Sequence, residues 1–364
     1  MKTAIIHYWL VSMRGGEKVI ETLLEMFPQA DIFTHVYNPK AVSSLIREKR
    51  VITSRINRLP FAKKLYQLYM PLMPDALMDF NLQDYDLVIS SESGPAKGIV
   101  PNPNAFHICY CHSPMRYLWD MYHDYFKKTN ILTRIFMKRL IPKLRLWDVM
   151  SSNMVDCFIA NSNYVAKRVK RYYNRDSVII FPPVDTEKYL AVQRKPFDYY
   201  LFFGQLTGYK RADIAIEACI KSGRKLVIAG AGASKKEIKK YSKSSLITFK
   251  GRVSDNEILE LFAGAKALLF PGIEDFGIIP VEANAAGCPV IAYRDGGALD
   301  SIKENVTGIF FNEQTPDSLI SAMDYFENEM KTFNREDFNE HVKQFSKTVF
   351  IERMNQVIKN KKRL

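Results

Sequence analysis

Two glutamates, Glu274 and Glu282, lie eight positions apart, and Gly277 stands between them. An apolar run that ends at Phe270 predicts a buried strand, so Glu274 belongs to the loop that follows it. Pro280 suits the first turn of a helix, which would place Glu282 in that turn. Each carboxylate could accept two hydrogen bonds from the vicinal diol of a ribose or a hexose.

The start of this helix also predicts an anion site. Backbone amides in the first turn of a helix have no partner within the helix, and the helix dipole favours a negative charge there. The amides expected to face a diphosphate belong to Gly277, Ile278 and Ile279, and Phe276 beside them is a further expected contact of the donor. Two carboxylates that flank a phosphate site indicate a nucleotide-sugar site, although Glu282 alone could simply complement the helix dipole.

The same segment resembles the signature of the family 4 glycosyltransferases, which have the GT-B fold, because Glu-x7-Glu stands in a strand–loop–helix context. Other parts of the chain agree, and the resemblance covers nearly the whole sequence. The other matching segments are Arg14-Gly15-Gly16-Glu17, Cys111-His112-Ser113-Pro114, Gly204-Gln205-Leu206 with Lys210-Arg211-Ala212-Asp213, Ala160-Asn161-Ser162, and Phe181-Pro182-Pro183-Val184-Asp185. The likeness is greatest to bacterial mannosyltransferase-like members that build O-antigen, capsule or exopolysaccharide.

The resemblance implies a role for each matching residue. Lys210 would hold the donor diphosphate, Glu274 would orient the sugar hydroxyls, and Glu282 would hold the ribose. His112 would contact the transferred sugar. We therefore expect Glu274, His112 and Lys210 to be the catalytic residues.

The glycine-rich loop after the first strand is a further candidate site. Gly15 and Gly16 would let backbone amides face the diphosphate and the acceptor, with Arg14 as an additional contact. An aromatic and cationic group near His112 would suit a sugar acceptor; it comprises Tyr110, Arg116, Tyr117 and Trp119. His7 and His35 are expected to be structural.

The phosphate loop departs from the family pattern at Gln205, where an arginine usually stands. A neutral amide cannot pair with phosphate through two charged donors as arginine does. Either the site has lost one phosphate contact, or Arg211 supplies it; the short loop between Gly204 and Asp213 favours the second. Asp213 itself is expected to cap the next helix.

Two motifs resemble known binding sites but are expected to have other roles. Asp84-Tyr85-Asp86 resembles a metal-binding Asp-x-Asp, but it precedes a predicted strand instead of following one, so we expect no metal site. The turn at Gly230 lacks the third glycine of a dinucleotide fingerprint and is expected to lie beside the nucleotide base. Arg252 and Val253 follow the next predicted strand and would contact that base.

These residues must be positioned by parallel sheets. Short apolar runs, each followed by a helical stretch, predict strands covered by helices on both faces. They are Ala4–His7, Ile32–Thr34, Leu87–Ser90, His107–Tyr110 and Phe158–Asn161 in the first half, and Tyr200–Gly204, Lys225–Ala229, Leu246–Phe249, Ala267–Phe270, Val290–Tyr293 and Ile309–Phe311 in the second. With the resemblance, they predict an α/β protein of the GT-B fold, in which two Rossmann-like, doubly wound domains face each other across a cleft.

The domain boundary should lie near Phe181-Pro182-Pro183-Val184-Asp185, because two prolines cannot continue a helix. We expect an acceptor-side N-terminal domain over 1–185 and a nucleotide-sugar-binding domain over 186–345. The residues 346–364 have a helical apolar pattern and are expected to form a helix that packs back toward the N-terminal domain.

The net charge of +13 requires an anionic partner, and the excess lies mainly in residues 1–190, which hold 26 Lys and Arg against 17 Asp and Glu. No nucleic-acid-binding motif is present, so nucleic acid is not expected as a partner. The basic, partly apolar segment Lys127–Arg145 would lie on an anionic bilayer, unless it is an ordinary solvated helix. No run of 18 apolar residues and no signal peptide are present, which favours a cytoplasmic protein, peripheral on the inner face of the plasma membrane.

The resulting hypothesis is a retaining hexosyltransferase that needs no metal and no cofactor beyond its nucleotide-sugar co-substrate. GDP-mannose is the preferred donor, with a UDP-sugar as the alternative, and the acceptor would be a lipid-linked saccharide or an oligosaccharide. Two other classes remain. A nucleotide-sugar epimerase would share the fold but not Glu-x7-Glu, whereas a non-catalytic nucleotide-sugar-binding partner is compatible with Gln205.

Overall fold

The computed structural model describes residues 1–127, 131–232, 240–241, 243–330 and 333–360, without the side chains of residues 124, 125, 132, 133 and 136. Lys128 and the side chains of Leu132 and Phe136, all from the predicted basic segment, therefore lie outside the described residues. Backbone contacts divide the chain into two compact units. The first comprises Met1–Pro182 together with the segment that begins at Phe350, and the second comprises Pro183–Val349.

The first unit is built on a seven-stranded parallel sheet with the order β3-β2-β1-β4-β5-β6-β7. Its strands are β1 (Thr3–His7), β2 (Asp31–Thr34), β3 (Val51–Thr53), β4 (Leu87–Glu92), β5 (Phe106–Cys111), β6 (Cys157–Ala160) and β7 (Ser177–Ile179). The strands β1, β4, β5 and β6 are buried along their whole length. Such burial is expected where helices cover both faces of a sheet.

The helices of this unit are mostly short, apart from the first and the last two. They are α1 (Gly15–Met26), α2 (Ser44–Arg47), α3 (Ala62–Leu65), α4 (Met73–Ala76), α5 (Tyr122–Lys127), α6 (Ile131–Ser151) and α7 (Asn163–Tyr173), with 3-10 turns at Pro39–Ala41, Arg55–Arg58, Tyr66–Leu72, Leu77–Asp79 and Ser152–Met154. The buried face of α1 packs on β1 and β2 through Val19, Ile20 and Leu23.

The second unit has a six-stranded parallel sheet with the order β10-β9-β8-β11-β12-β13. Its strands are β8 (Tyr200–Phe203), β9 (Leu226–Ala229), β10 (Ile247–Gly251), β11 (Leu268–Phe270), β12 (Val290–Tyr293) and β13 (Gly308–Phe311). Its described helices are α8 (Glu187–Leu190), α9 (Ala212–Ser222), α10 (Asp255–Gly264), α11 (Ile278–Ala285), α12 (Ala298–Ser301), α13 (Pro316–Glu329) and α14 (Arg335–Lys343), with a 3-10 turn at Gly208–Lys210. The last helix, α15 (Lys347–Lys359), adds Phe350, Met354 and Val357 to the core of the first unit.

In both sheets the strand order reverses at one place, between β1 and β4 in the first and between β8 and β11 in the second. At such a switch point the loops of the two neighbouring strands leave in opposite directions and open a crevice at the carboxyl edge. Ligands of open parallel sheets bind in these crevices. The topology therefore directs attention to the residues that follow β1, β4, β8 and β11.

Every apolar run expected to be a strand forms one, and two further strands, β3 and β7, had not been expected. Both are three-residue edge strands whose residues are partly exposed. An edge strand buries only part of its surface, so it needs no continuous apolar run and leaves a weak trace in the sequence. Within the described residues, no helix combines the length and the apolar character needed to cross a bilayer.

Candidate active site

The switch point of the second unit brings Lys210 and Glu274 together. Lys210 ends the 3-10 turn that follows β8, and Glu274 lies in the loop after β11. The Nζ atom of Lys210 is 2.7 Å from Oε1 of Glu274, with side-chain exposures of 11% and 19%. A diphosphate and a sugar hydroxyl bound here would therefore each find a group of the appropriate charge at the same point.

Two glycines allow the surrounding loops to approach closely. Gly204 follows β8 with a φ of +139°, and a Cβ on it would lie 3.1 Å from the Lys210 ammonium. Gly230 follows β9 with a φ of +136°, and a Cβ there would lie 1.8 Å from the Gly204 carbonyl oxygen. No L side chain fits that space. The turn at Gly230 thus packs directly on the phosphate loop.

A second glycine pair, which sequence reasoning missed, supports the Glu274 loop. A Cβ on Gly296 would lie 2.6 Å from the Glu274 carbonyl oxygen, and one on Gly297 would lie 2.2 Å from Cα of Phe276. The Gly297 amide also donates a hydrogen bond of 2.8 Å to the Glu274 carbonyl. The available signal was an Asp-Gly-Gly sequence two residues after a strand.

The predicted anion site lies at the start of α11. Gly277 caps the helix with a φ of +91°, and Ile278 is the first helical residue. The amides of Ile278 and Ile279 have no partner within the helix, by the geometry of any helix start. Phe276 is 3% exposed, and its ring packs against Phe345 with ring centroids 5.6 Å apart, so its side chain is not available to a ligand.

Glu282 lies one turn further into α11 than the sequence predicted, because the helix begins at Ile278. Burial raises the pKa of Glu282 to about 7, and a hydrogen bond from Tyr189 partly opposes this rise. Tyr189 belongs to α8, is 2% exposed and packs against Phe262. Tyr189 therefore positions the predicted ribose carboxylate, and nothing in its sequence context indicated this.

Arg211 has partners other than a phosphate. Its guanidinium donates to both carboxylate oxygens of Asp213 at 3.0–3.1 Å and to Oε1 of Gln314 at 3.1 Å. Arg211 is also the N-cap residue of α9, so the expectation that Asp213 caps this helix is wrong. The side chain of Gln205 is exposed beside the loop. This arrangement favours the first of the two alternatives, the loss of one phosphate contact.

Arg252 and Val253 follow β10, next to the Gly230 turn. The Gly230 amide donates to the Gly251 carbonyl at 2.7 Å, which joins the two loops at the carboxyl edge of the sheet. The Arg252 side chain is exposed and the Val253 side chain is half-buried. Their contact with a nucleotide base stays a prediction.

In the first unit, the switch point assembles the glycine-rich loop and His112. Gly15 and Gly16 are the first two residues of α1, and a Cβ on Gly16 would lie 3.7 Å from Nε2 of His112. The main chain of His112 is fixed on both sides, because its amide donates to the Glu92 carbonyl at 2.8 Å and its carbonyl accepts from Asn161 at 3.0 Å. Burial lowers the pKa of His112 to about 3, so its imidazole is neutral at ordinary pH.

The loop after His112 is held by Arg168, another residue that sequence reasoning missed. Its guanidinium donates to Oγ of Ser113 at 2.9 Å and to the Pro114 carbonyl at 3.2 Å. Arg168 is 6% exposed although it lies on α7, where a repeated Lys and Arg pattern predicts a solvated face. A buried arginine cannot be distinguished from its exposed neighbours by spacing alone.

The expected acceptor-binding group is only partly available at the surface. Tyr110 is a core residue, fully buried, whose hydroxyl donates to the Ile180 carbonyl at 3.0 Å, so its assignment to this surface is wrong. Trp119 stacks on Tyr172 and donates from Nε1 to Asp148 at 2.8 Å. Arg116 and Tyr117 are half-buried.

A metal site is not apparent in the described part of the chain. No group of three or more His, Cys, Asp or Glu side chains there is placed to hold an ion. Asp84 and Asp86 precede β4, at the amino edge of the sheet, and both contact Lys2. All five cysteines are buried and unpaired with one another.

Comparison with protein families agrees with this geometry. Residues 13–188 match the model described as Glycosyltransferase Family 4, and residues 185–363 match the model described as Glycosyl transferases group 1. The chain is a family 4 glycosyltransferase. Its two parallel-sheet units are those of the GT-B fold, as in the solved glycosyltransferases it resembles.

Curated relatives of this glycosyltransferase match parts of it. Human alpha-1,3/1,6-mannosyltransferase ALG2 is 27% identical over 228 residues, which are 52% of this chain and 55% of that protein. An uncharacterized glycosyltransferase of Methanocaldococcus jannaschii is 33% identical over 133 residues, or 34% of each chain. This chain therefore matches about half or less of the length of each of these curated relatives.

Solved structures match the whole glycosyltransferase at lower identity. HepE from Anabaena, in complex with UDP, has a TM-score of 0.70 at 15% identity and covers 99% of this chain and 100% of its own. WaaG, a glycosyltransferase involved in lipopolysaccharide biosynthesis, has a TM-score of 0.65 at 16% identity. The match covers 98% of this chain and 99% of the WaaG chain. At these identities the likeness establishes the fold.

The partners of Arg211 lead to a prediction for Gln205. Because Arg211 is held by Asp213 and Gln314, Gln205→Arg should add a phosphate contact and tighten nucleotide-sugar binding. A charge-assisted contact contributes about 1.5–3 kcal/mol, or about 10–100-fold in the dissociation constant measured by calorimetry. The companion variant Arg211→Ala should leave that constant nearly unchanged. Strong loss of binding in Arg211→Ala, with no gain in Gln205→Arg, would show that Arg211 supplies the contact.

The raised pKa of Glu282 predicts a pH-dependent affinity. Only the ionised carboxylate accepts two hydrogen bonds from a ribose diol, so nucleotide-sugar affinity should fall as the pH decreases below about 7, by up to about tenfold per pH unit. Removing the stabilising hydroxyl in Tyr189→Phe should raise the pKa and move the transition to higher pH. Calorimetric titrations between pH 5.5 and 8.5 measure both effects. Glu282→Gln is the control, and a transition that persists in it would assign the titration to another group.

Proposed function

We propose that this enzyme transfers a hexose, with retention of configuration and without a metal, from a nucleotide-sugar to a lipid-linked saccharide. The observation that carries the proposal is the 2.7 Å pair of Lys210 and Glu274 near the start of α11, whose first amides have no partner within the helix. One group suits a diphosphate and the other suits sugar hydroxyls. GDP-mannose is the preferred donor, because the curated relatives include alpha-1,3/1,6-mannosyltransferases.

The proposed chemistry relies on leaving-group stabilisation. When the bond between the anomeric carbon and the donor phosphate oxygen breaks, negative charge develops on the nucleotide diphosphate. The Lys210 ammonium and the amides of Ile278 and Ile279 would stabilise this charge, which is the role that a metal has in other glycosyltransferases. The acceptor hydroxyl forms the new bond on the same face, and its proton passes to a donor phosphate oxygen. No carboxylate needs to act as a nucleophile in this scheme.

A UDP-sugar is the second candidate donor. Solved structures that share the fold contain UDP and UDP-glucose. A non-catalytic nucleotide-sugar-binding role is the other alternative, and the feature that favours it is Gln205 in place of a phosphate-binding arginine. The bacterial surface polysaccharide pathway is proposed from the sequence resemblance.

Two variants test the donor site. In assays with GDP-mannose and with UDP-sugars, Glu274→Gln should lower kcat for transfer or donor hydrolysis by at least about 100-fold while nucleotide binding persists. Lys210→Ala should instead raise the donor dissociation constant about 10–100-fold, since it removes a charged phosphate contact. The matched control is Lys221→Ala, because Lys221 is an exposed lysine that pairs with Asp317 in the same unit.

Each outcome of these assays has a clear meaning. Activity should persist in EDTA, and selective recovery with manganese or magnesium would contradict the metal-independent scheme. Full activity of Glu274→Gln would contradict the site assignment. Donor binding without any Glu274-dependent turnover would indicate the non-catalytic alternative.

We also propose that α6 lies on an anionic membrane surface. Among the described side chains of α6, the exposed ones are three cations and five apolar residues, with no acid: Ile131, Ile135, Lys138, Arg139, Pro142, Lys143, Leu146 and Met150. The one acidic residue of α6, Asp148, is buried against Lys97. Cations would contact lipid phosphates while the apolar side chains enter the headgroup region.

Vesicle co-sedimentation tests this surface. Binding to vesicles that contain an anionic lipid should weaken about fivefold in Lys143→Ala, since each cation near the surface contributes about 1 kcal/mol. Ile135→Asp should abolish most of it, because the carboxylate cannot enter the headgroup region of an anionic bilayer. Ile220→Asp, at an exposed apolar position of the second unit, is the control. Equal binding of all three variants would exclude α6 as the membrane-facing surface.

A further inference from the structure

A chain of hydrogen bonds connects three side chains at the switch point of the first unit. Oγ of Ser91 is 3.0 Å from Nδ1 of His7 and 2.8 Å from Nε2 of His112. His7 and Ser91 are fully buried and stand opposite each other on β1 and β4. His112 comes directly after β5, the next strand of the sheet.

The Ser91 hydroxyl cannot donate to both imidazoles, because it has one hydrogen and two lone pairs. One ring must accept that hydrogen, and the other ring must donate its own N–H to the oxygen. The direction of the chain therefore decides which nitrogen of His112 carries a proton. His112 is neutral, since burial lowers its pKa to about 3, so it has a single N–H to place.

Glu17 sets the direction. The other ring nitrogen of His7, Nε2, is buried and lies 3.8 Å from Oε1 of Glu17. A lone pair there would face a carboxylate, whereas an N–H is attracted to it. Glu17 is held in place by the Arg14 amide, which donates to its other oxygen at 2.9 Å. For the neutral ring of His7, the favoured tautomer thus has its proton on Nε2 and a lone pair on Nδ1.

The remaining assignments follow in sequence. Nδ1 of His7 accepts from the Ser91 hydroxyl, and Oγ of Ser91 then accepts from Nε2–H of His112. This leaves Nδ1 of His112 with a lone pair. The ring is also fixed from the side, because Tyr110 packs edge-on against it with centroids 5.1 Å apart.

We propose that His7 and Ser91 are positioning residues that hold His112 as the Nε2–H tautomer, so that its Nδ1 accepts a hydrogen bond from a hydroxyl of the transferred sugar. The role of His112 toward the sugar rests on the proposed function, whereas the tautomer does not. A histidine with the opposite tautomer would present an N–H and could not select a hydroxyl donor. Glu17, within the glycine-rich loop motif, would thereby act on His112 through two intervening side chains, His7 and Ser91.

The tautomer can be read directly in the wild-type protein. Two-bond nitrogen–proton couplings in protein with labelled histidine identify the protonated nitrogen of each of the six histidines. We expect protonated Nε2 and unprotonated Nδ1 for His112, and protonated Nε2 for His7. A His112 that is protonated on Nδ1 would overturn the proposal, whatever the enzyme is found to transfer.

Two variants then test the relay. In His7→Phe the Ser91 hydroxyl loses its acceptor and becomes free to donate to His112, which should convert His112 to the Nδ1–H tautomer. In Ser91→Ala the constraint on His112 is lost, so both tautomers should appear. We expect each to lower kcat at least about tenfold with little change in the nucleotide-sugar KM. Ser91→Thr keeps the hydroxyl and should restore both the tautomer and kcat.

The chain offers a closely matched control. Ser90, the neighbouring buried residue of β4, bonds Nε2 of His107 at 2.9 Å, so Ser90→Ala removes the same kind of contact on the other face of the sheet. It should alter the surroundings of His107 and Cys109 and leave kcat unchanged. An equal loss of kcat in Ser90→Ala and Ser91→Ala, with the His112 tautomer intact in both, would assign the loss to general destabilisation. Absence of transfer from any nucleotide-sugar would refute the proposed function while the tautomer could still be read.

Discussion

The ion pair between Lys210 and Glu274 is the interaction around which the second unit is arranged. Two opposite charges in a largely buried crevice are tolerated only when they stay close together. That requirement fixes the loops after β8 and β11, and these loops can meet only because glycines remove the side chains that would separate them. Gly230 lies close to the Gly204 carbonyl and Gly296 lies close to the Glu274 carbonyl, so each glycine allows a neighbouring loop to pack on this pair of loops. Removal of either charge leaves the other without its partner, so the two residues are coupled and their single-variant effects are not additive.

The first unit uses the same topology for a different kind of chemistry. Its switch point carries a set of polar groups joined through Ser91. Burial makes the neutral form of His112 the stable one, and it has the same effect on His35 and His107, whose pKa values it lowers to about 4. One unit therefore presents charge at its carboxyl edge, whereas the other presents a neutral imidazole.

A second buried cluster stabilises the region around the proposed acceptor loop. Lys97 is fully buried and pairs with Glu92 and Asp148, and Asp148 also accepts from Trp119 and Tyr173. The Glu92 carboxylate accepts two backbone amides as well, at Ala96 and Lys97. With so many partners these charges are satisfied in the interior, and they tie β4, α6 and α7 to the loop that carries Trp119.

The sequence by itself determined the strands that are buried on both faces, because a continuous apolar run has no other stable place in a parallel sheet. It also indicated the loops that carry function, since glycines and carboxylates directly after such strands must lie at the carboxyl edge. Only the tertiary structure decided which of those residues meet. The pairing of Lys210 with Glu274, the bond of Arg211 with Gln314, and the bond of Tyr189 with Glu282 join residues whose distance along the chain carries no information about contact. The same holds for His7, which the sequence presents as one structural histidine and which the sheet places two hydrogen bonds away from His112, because β1, β4 and β5 are neighbours in space but not in sequence.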